Sequence, residues 1–244
     1  MTERKPVVRR REQVPLDVLA PGVTVAEMLN DEHGCLGLHQ RRLRLADTAA
    51  LAGPTALVGG VTMAGTAEGR GEAWYVISGS GVLDAGAAGS VELLPGTAVW
   101  LGPSVGYRCQ GDLEVLAITV RADVAEDQAG PALFVTSLDA CPVERTGDRE
   151  FRVLLSAGLA ITQFAGLIPP GRAPEHQHTY DEVVHVLAGS GVVHLAGGDT
   201  EIGPGTSIYL PPQAPHCLEN TGPEPLRVLG VFHPAGSPAA KQTT

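Results

Sequence analysis

The chain has 244 residues, 43% hydrophobic and only 4% aromatic, with 27 Asp and Glu against 17 Lys and Arg for a formal net charge of −10 at pH 7. That excess of negative charge repels phosphate backbones and anionic lipid surfaces, so neither nucleic acid nor a membrane is an expected partner. The 31 glycines and 19 prolines suit short strands joined by tight turns, and no segment holds a helical period over several turns, which predicts an all-β protein.

Taken in chain order, Lys5, Arg9, Arg10 and Arg11 form a basic cluster that reads as a solvated, flexible terminal arm. The same charges interrupt the apolar core that a secretory signal needs. Residues 48–67 are uncharged, but Gly53, Pro54, Gly59, Gly60 and four threonines argue against a membrane helix. A soluble, cytoplasmic protein is expected. Cys35, Cys109, Cys141 and Cys217 show no short paired spacing, so neither a disulfide framework nor a zinc knuckle is indicated, and Cys217 reads as a small core residue.

An internal repeat organises the chain. Gly79-Ser80-Gly81-Val82-Leu83 matches Gly189-Ser190-Gly191-Val192-Val193 at an offset of 110, and Pro95-Gly96-Thr97 through Leu101 matches Pro204-Gly205-Thr206 through Leu210 at 109. The chain therefore reads as a tandem duplication with one residue lost between the copies. The polar stretch from Arg121 to Pro131 reads as the linker, giving domains of 1–127 and 128–244. Ser137-Leu138-Asp139 echoes Pro15-Leu16-Asp17, so each copy is expected to open with a short lead-in.

The second copy carries the chemistry. His176 and His178 are i and i+2, which on a strand puts them on one face about 6.6 Å apart, close enough to share an ion. Thr179-Tyr180-Asp181 suits a turn, and Glu182 to Leu187 has the β-branched content of a strand, so a chain doubling back returns Glu182 beside the histidines. Pro211, Pro212 and Pro215 forbid a helix before His216, which then enters from a different strand. Three neutral imidazoles and one carboxylate leave a divalent ion with open coordination positions, as catalytic sites have. His185 has the opposite strand parity to Glu182, and His33, His39, His194 and His233 show no ligand spacing.

These residues carry a family resemblance. Gly171, four residues, His176-x-His178, three residues, Glu182, six residues and Gly189 resemble the first cupin motif, one residue short in its opening gap. Gly205, five residues, Pro211, then Gln213, His216 and Asn220 resemble the second, with Gln213 where glycine is usual. The resemblance covers about residues 151–235 and implies that His176, His178, Glu182 and His216 are metal ligands in a jelly-roll barrel. With the repeat, it implies two tandem double-stranded β-helix barrels, a bicupin. Sliding the ligand positions back by the repeat offset puts Glu182 on Glu72, His176 and His178 on Thr66 and Glu68, and His216 on Tyr107. The first barrel is thus expected to be degenerate and metal-free.

The resemblance implies a metal-dependent enzyme acting on a small organic substrate, with one divalent ion per chain. Fe(II) is the favoured metal over Mn, Ni, Co or Zn. O₂-dependent chemistry ranks first, since the three-His, one-Glu site resembles that of quercetin and acireductone dioxygenases. The same ligand set supports decarboxylation, isomerisation or cyclisation, and a non-enzymatic ligand-binding cupin is a further alternative. Tyr180, in the turn between ligands, is a candidate catalytic hydrogen-bond donor, and Gln163 or Phe164 is expected to line the cavity. A monomer or a homodimer fits a two-barrel chain.

Overall fold

The structure, a computed structural model, describes residues 4–45, 50–52, 56–57, 71–121 and 130–239. Thr66 and Glu68, the uncharged segment of residues 48–67 for the most part, and residues 122–129 of the linker lie outside the described residues. Among the described residues the regular elements are antiparallel strands and single turns of 3₁₀ helix. No helix there is long and apolar enough to cross a membrane.

The strands form two jelly-roll barrels. In the C-terminal one a seven-stranded sheet faces a four-stranded sheet. Along the large sheet run, from edge to edge, Val7–Arg9, Ser207–Leu210, Asp181–Ala188, Leu226–His233, Thr162–Ile168, Arg149–Leu155 and Glu144–Thr146. The small sheet contains Gly171–Arg172, His216–Asn220, Gly191–Leu195 and Gly198–Ile202. Alternation divides each strand of the large sheet between two cores. Val184, Val186, Ile208 and Val228 pack inside the barrel with Val193 and Leu218 of the small sheet. Val183, Tyr209, Leu229 and Val231 point the other way and share a cluster with Leu38, Leu116 and Ile118 of the first barrel's sheet. Strands with apolar side chains on both faces are what two barrels packed back to back require.

The repeat is visible in the backbone. Gly79 and Gly189 have φ of 81° and 89°, and Gly96 and Gly205 have φ of 87° and 86°. All four occupy the left-handed region that only glycine adopts without cost. At Gly189 an added Cβ would also meet the Leu226 Cα at 2.9 Å.

Each barrel borrows a strand from the other half of the chain. Val7–Arg9 pairs with Ser207–Leu210 in the C-terminal sheet, while Leu133–Ser137 pairs with Thr97–Leu101 in the N-terminal one. Each donated strand is followed by a 3₁₀ turn, Arg11–Gln13 and Leu138–Ala140. These are the two lead-ins, matched by structure as Val8 with Val135, a different alignment from the Leu16 and Leu138 echo in the sequence. The basic cluster is accordingly no loose arm. Arg4 donates from Nη1 to both Asp181 carboxylate oxygens at 2.8 and 3.1 Å and to the Tyr209 hydroxyl at 3.1 Å, and Arg10 donates to the Glu201 carbonyl at 3.0 Å. Backbone pairing and a half-buried ion pair outweigh the tendency of charged residues to stay in solvent.

Candidate metal centre

The site forms where the two sheets of the C-terminal barrel meet. After Gly171–Arg172 the chain runs extended to His178, bends, and enters Asp181–Ala188. His176 forms an isolated antiparallel bridge with His216, exchanging backbone hydrogen bonds of 3.0 and 2.9 Å. The His178 carbonyl accepts from the Gln213 N–H at 2.6 Å. Gln213 makes that bond with φ at 63°, a left-handed conformation that explains why glycine suits the position.

These clamps converge the four expected ligands. Ligand atoms of His176, His178 and His216 lie within 4.8 Å of one another. Glu182 Oε2 is 3.4 Å from His178 Nε2 and 3.6 Å from His216 Nε2. The His176 and His216 Nδ1 atoms face the carbonyls of Pro174 and Ala214 at 3.1 and 2.9 Å. A carbonyl accepts only from a protonated nitrogen, so this tautomer leaves both Nε2 lone pairs free for a cation. The residues fit a metal by a further sign: Glu182 Oε2 is buried with no hydrogen-bond donor. An acceptor left so is costly unless a cation satisfies it.

Burial sets the protonation of the set. It pushes Glu182 up to about 8. Burial, then the neighbouring histidines, depresses His178 to about 3, and burial followed by His176 brings His216 to about 4. His176 is lowered by burial, with Arg149 adding to the effect. In the metal-free protein the proton held near neutral pH is therefore on Glu182, not on His178 or His216. In the metal-free chain Glu182 holds a proton between its unfolded value and about 8 that the unfolded chain has lost, so its contribution to stability falls as pH rises through that window. His178 and His216 act oppositely below about 6.5, where the unfolded chain binds the extra protons. Loading Zn(II) at about pH 6.5 is accordingly expected to release about one proton per ion, falling towards none above about pH 9. Calorimetry in buffers of different ionisation heat measures this, and zero release at the lower pH would contradict the assignment of Glu182.

Tyr180, the candidate hydrogen-bond donor in the turn, is engaged by its neighbours. Its ring stacks on His178 at 4.8 Å and 13° and packs on Phe232 at 4.5 Å. Its hydroxyl donates to the Ser237 carbonyl at 3.2 Å, and the residue is not among those lining the cavity at the site. The stacked ring supports that of His178. Tyr180→Phe should keep metal affinity within about twofold, while Tyr180→Ala should weaken it about 10- to 100-fold, as read by competition with a chelating dye.

The cavity over the four residues has a volume of about 80 Å³. Phe151, Phe164, Ile168, Leu218 and Phe232 wall it, with Arg149 among the few polar residues. Phe164 thus lines the cavity, whereas Gln163 is buried on the opposite face of its strand. Arg149 carried no signal in the sequence, where Glu144 to Arg152 reads as an ordinary charged hairpin. Of the other histidines, His185 meets the Ser207 hydroxyl at 2.9 Å, His194 sits between Asp199 at 2.8 Å and Glu219 at 2.7 Å, and His233 faces the Ala160 carbonyl at 3.1 Å.

The first barrel has a different arrangement at the positions matching Glu182 and His216. Glu72 pairs with Leu101 and Thr119 across its sheet as Glu182 pairs with Leu210 and Phe232. Tyr107, in place of His216, donates to Glu72 Oε2 at 3.2 Å. Burial and then the Glu72 carboxylate hold that phenol well above its ordinary value, so it stays a neutral donor. Arg41 Nη2 donates to Glu72 Oε1 and to the Thr119 hydroxyl, each at 2.9 Å. A guanidinium supplies the positive charge that a buried carboxylate needs.

Residues 165–232, which include all four converging side chains, match the family described as a cupin domain. This segment of the C-terminal barrel is a cupin domain. Among solved structures, the chain is similar to protein Ylba from E. coli, with a TM-score of 0.75 and 14% identity over 94% of this chain and 91% of that one. It is similar to Lactobacillus farciminis oxalate decarboxylase in its formate complex, with a TM-score of 0.72 and 14% identity over 96% and 87%. A Bacillus subtilis oxalate decarboxylase studied for its Mn(II) centres gives 0.72 and 12% over 94% and 78%. At these identities the likeness is one of fold. An uncharacterized protein of Methanocaldococcus jannaschii is 38% identical over 60 residues, 24% of this chain and 48% of that protein. The chain thus aligns with about half the length of that curated relative.

Proposed function

We propose that the C-terminal barrel holds one divalent metal ion through His176, His178, Glu182 and His216 and that the protein is a metal-dependent enzyme acting on a small organic molecule in the adjoining cavity. The observation that carries this reading is the buried, unpartnered Glu182 Oε2 beside three clustered imidazoles, two of which, His176 and His216, have their Nε2 lone pairs freed by carbonyls at Nδ1. When bound, such an ion supplies Lewis acidity and, if it is iron, electrons for O₂ chemistry. The chain's own residues do the rest. The Pro174 and Ala214 carbonyls fix two imidazole tautomers, Tyr180 fixes the His178 ring, and the phenylalanine wall excludes water.

O₂-dependent oxidation of an electron-rich substrate is the finer reading, supported by the apolar wall. A second reading, O₂-independent chemistry such as decarboxylation with manganese or another divalent ion, is favoured by the unpaired Arg149 at the cavity and by the resemblance in fold to oxalate decarboxylases. Elemental analysis of protein purified anaerobically without added metal, followed by oxygen-electrode assays on phenols and enols, separates them. Iron with iron-dependent oxygen uptake supports oxidation; manganese or zinc with turnover under nitrogen supports the second reading. Protein that neither retains nor rebinds any divalent metal would overturn both.

A further inference from the structure

We infer that Arg149 is the recognition residue for a carboxylate group on the substrate, so that the cavity takes a small organic acid. The inference rests on the metal-site reading for the position of the reacting end of the molecule, and on Arg149 for the other end.

Arg149 begins the strand Arg149–Leu155, immediately after the turn at Gly147 and Asp148. Phe151, two residues on, lines the cavity, so strand parity places Arg149 on the same face, and it too lines the cavity. Its Nε is buried and has no hydrogen-bond partner. The neighbouring acid that could neutralise it, Glu150, is engaged by Arg145 at 3.0 and 2.6 Å. Other buried or half-buried arginines of the barrel walls each face an acid, Arg41 facing Glu72 (although its own Nε also lacks a partner), Arg42 facing Glu114 and Arg4 facing Asp181. The cavity is also lined by Thr146, by Glu150 and by the His176, His178, Glu182 and His216 set, but among the described residues no acid is paired with Arg149, and its orphaned buried nitrogen is a cost to the free protein that an anionic ligand repays.

The geometry selects the kind of anion. A guanidinium presents a planar fork that matches the two oxygens of a carboxylate. A phosphate has a third oxygen to satisfy, and the remaining cavity wall is dominated by Phe151, Phe164, Ile168, Leu218 and Phe232. At about 80 Å³ the cavity suits a molecule of a few heavy atoms.

The test is binding, read by calorimetry on protein loaded with Zn(II), using propionate, pyruvate and benzoate against the matching amides and inorganic phosphate. Carboxylates are expected to bind and the amides not. Arg149→Gln is expected to weaken carboxylate binding about 10- to 100-fold, with Arg149→Lys intermediate. No side-chain hydrogen bond of Arg149 to the described residues is lost in Arg149→Gln, so metal content should be retained and the thermal midpoint should be no lower than wild type, which a structural role would not allow. Wild-type carboxylate affinity in Arg149→Gln, equal binding of the amides, or tighter Arg149-dependent binding of phosphate would each overturn the assignment. Repeating the titration on chelator-treated protein separates the two readings. If wild type holds no metal yet binds carboxylates through Arg149, the metal reading fails and this one stands.

Discussion

His178→Ala is expected to abolish metal retention, with content by elemental analysis falling from about one ion per chain to under about a tenth. His178 is 5% exposed and faces Glu182 directly, so no water-filled alternative geometry is at hand to replace it. The variant also leaves Glu182 with one less polar neighbour in a pocket that already favours its neutral form, which opposes ionisation and weakens residual binding further. His216→Ala should behave alike. His194→Ala is the control: that imidazole lies between Asp199 and Glu219, away from the site, and its loss should leave metal content unchanged. Equal loss in both variants would show that the ion sits elsewhere.

Arg41→Met is expected to destabilise the protein by about 3–5 kcal/mol, seen as a lower urea midpoint. The substitution strands the Glu72 carboxylate, 5% exposed, with only Tyr107 for a partner. Glu72→Gln alone should also cost stability, since it leaves the Arg41 guanidinium, 2% exposed, uncompensated. The double variant should recover most of the loss, because removing both charges together removes the desolvation cost as well as the attraction. Additive losses would mean the two side chains are held independently, against the 2.9 Å contact.

The fold and the four converging residues were legible because both rest on short-range rules. Strand parity and the proline-rich approach to His216 place ligands by local geometry, and paired left-handed glycines mark the repeat directly. What escaped the sequence depends on long-range partners. The phenol of Tyr180 looked available until its contact with Ser237, 57 residues away, was known. The value of Glu182 follows from the depth of its burial, which no local pattern encodes. Arg149 has no local mark in the sequence, and its unpartnered Nε shows only in the fold. The N-terminal charges suggested a loose arm because their acceptors, Asp181 and the Glu201 carbonyl, lie far along the chain.

The exchanged strands bind the fate of the site to residues far from it. Leu210, whose strand accepts Val7–Arg9 on one flank, pairs on the other with Glu182. A protease cut within the linker would therefore release no self-sufficient half. The released C-terminal fragment would carry a raw sheet margin one strand from its own ligand, prone to recruit foreign strands, and would have kept Leu133–Ser137 with no partner to give it to. The two halves repeat one another in sequence but are mechanical hostages, each sheet completed by a strand from the other half.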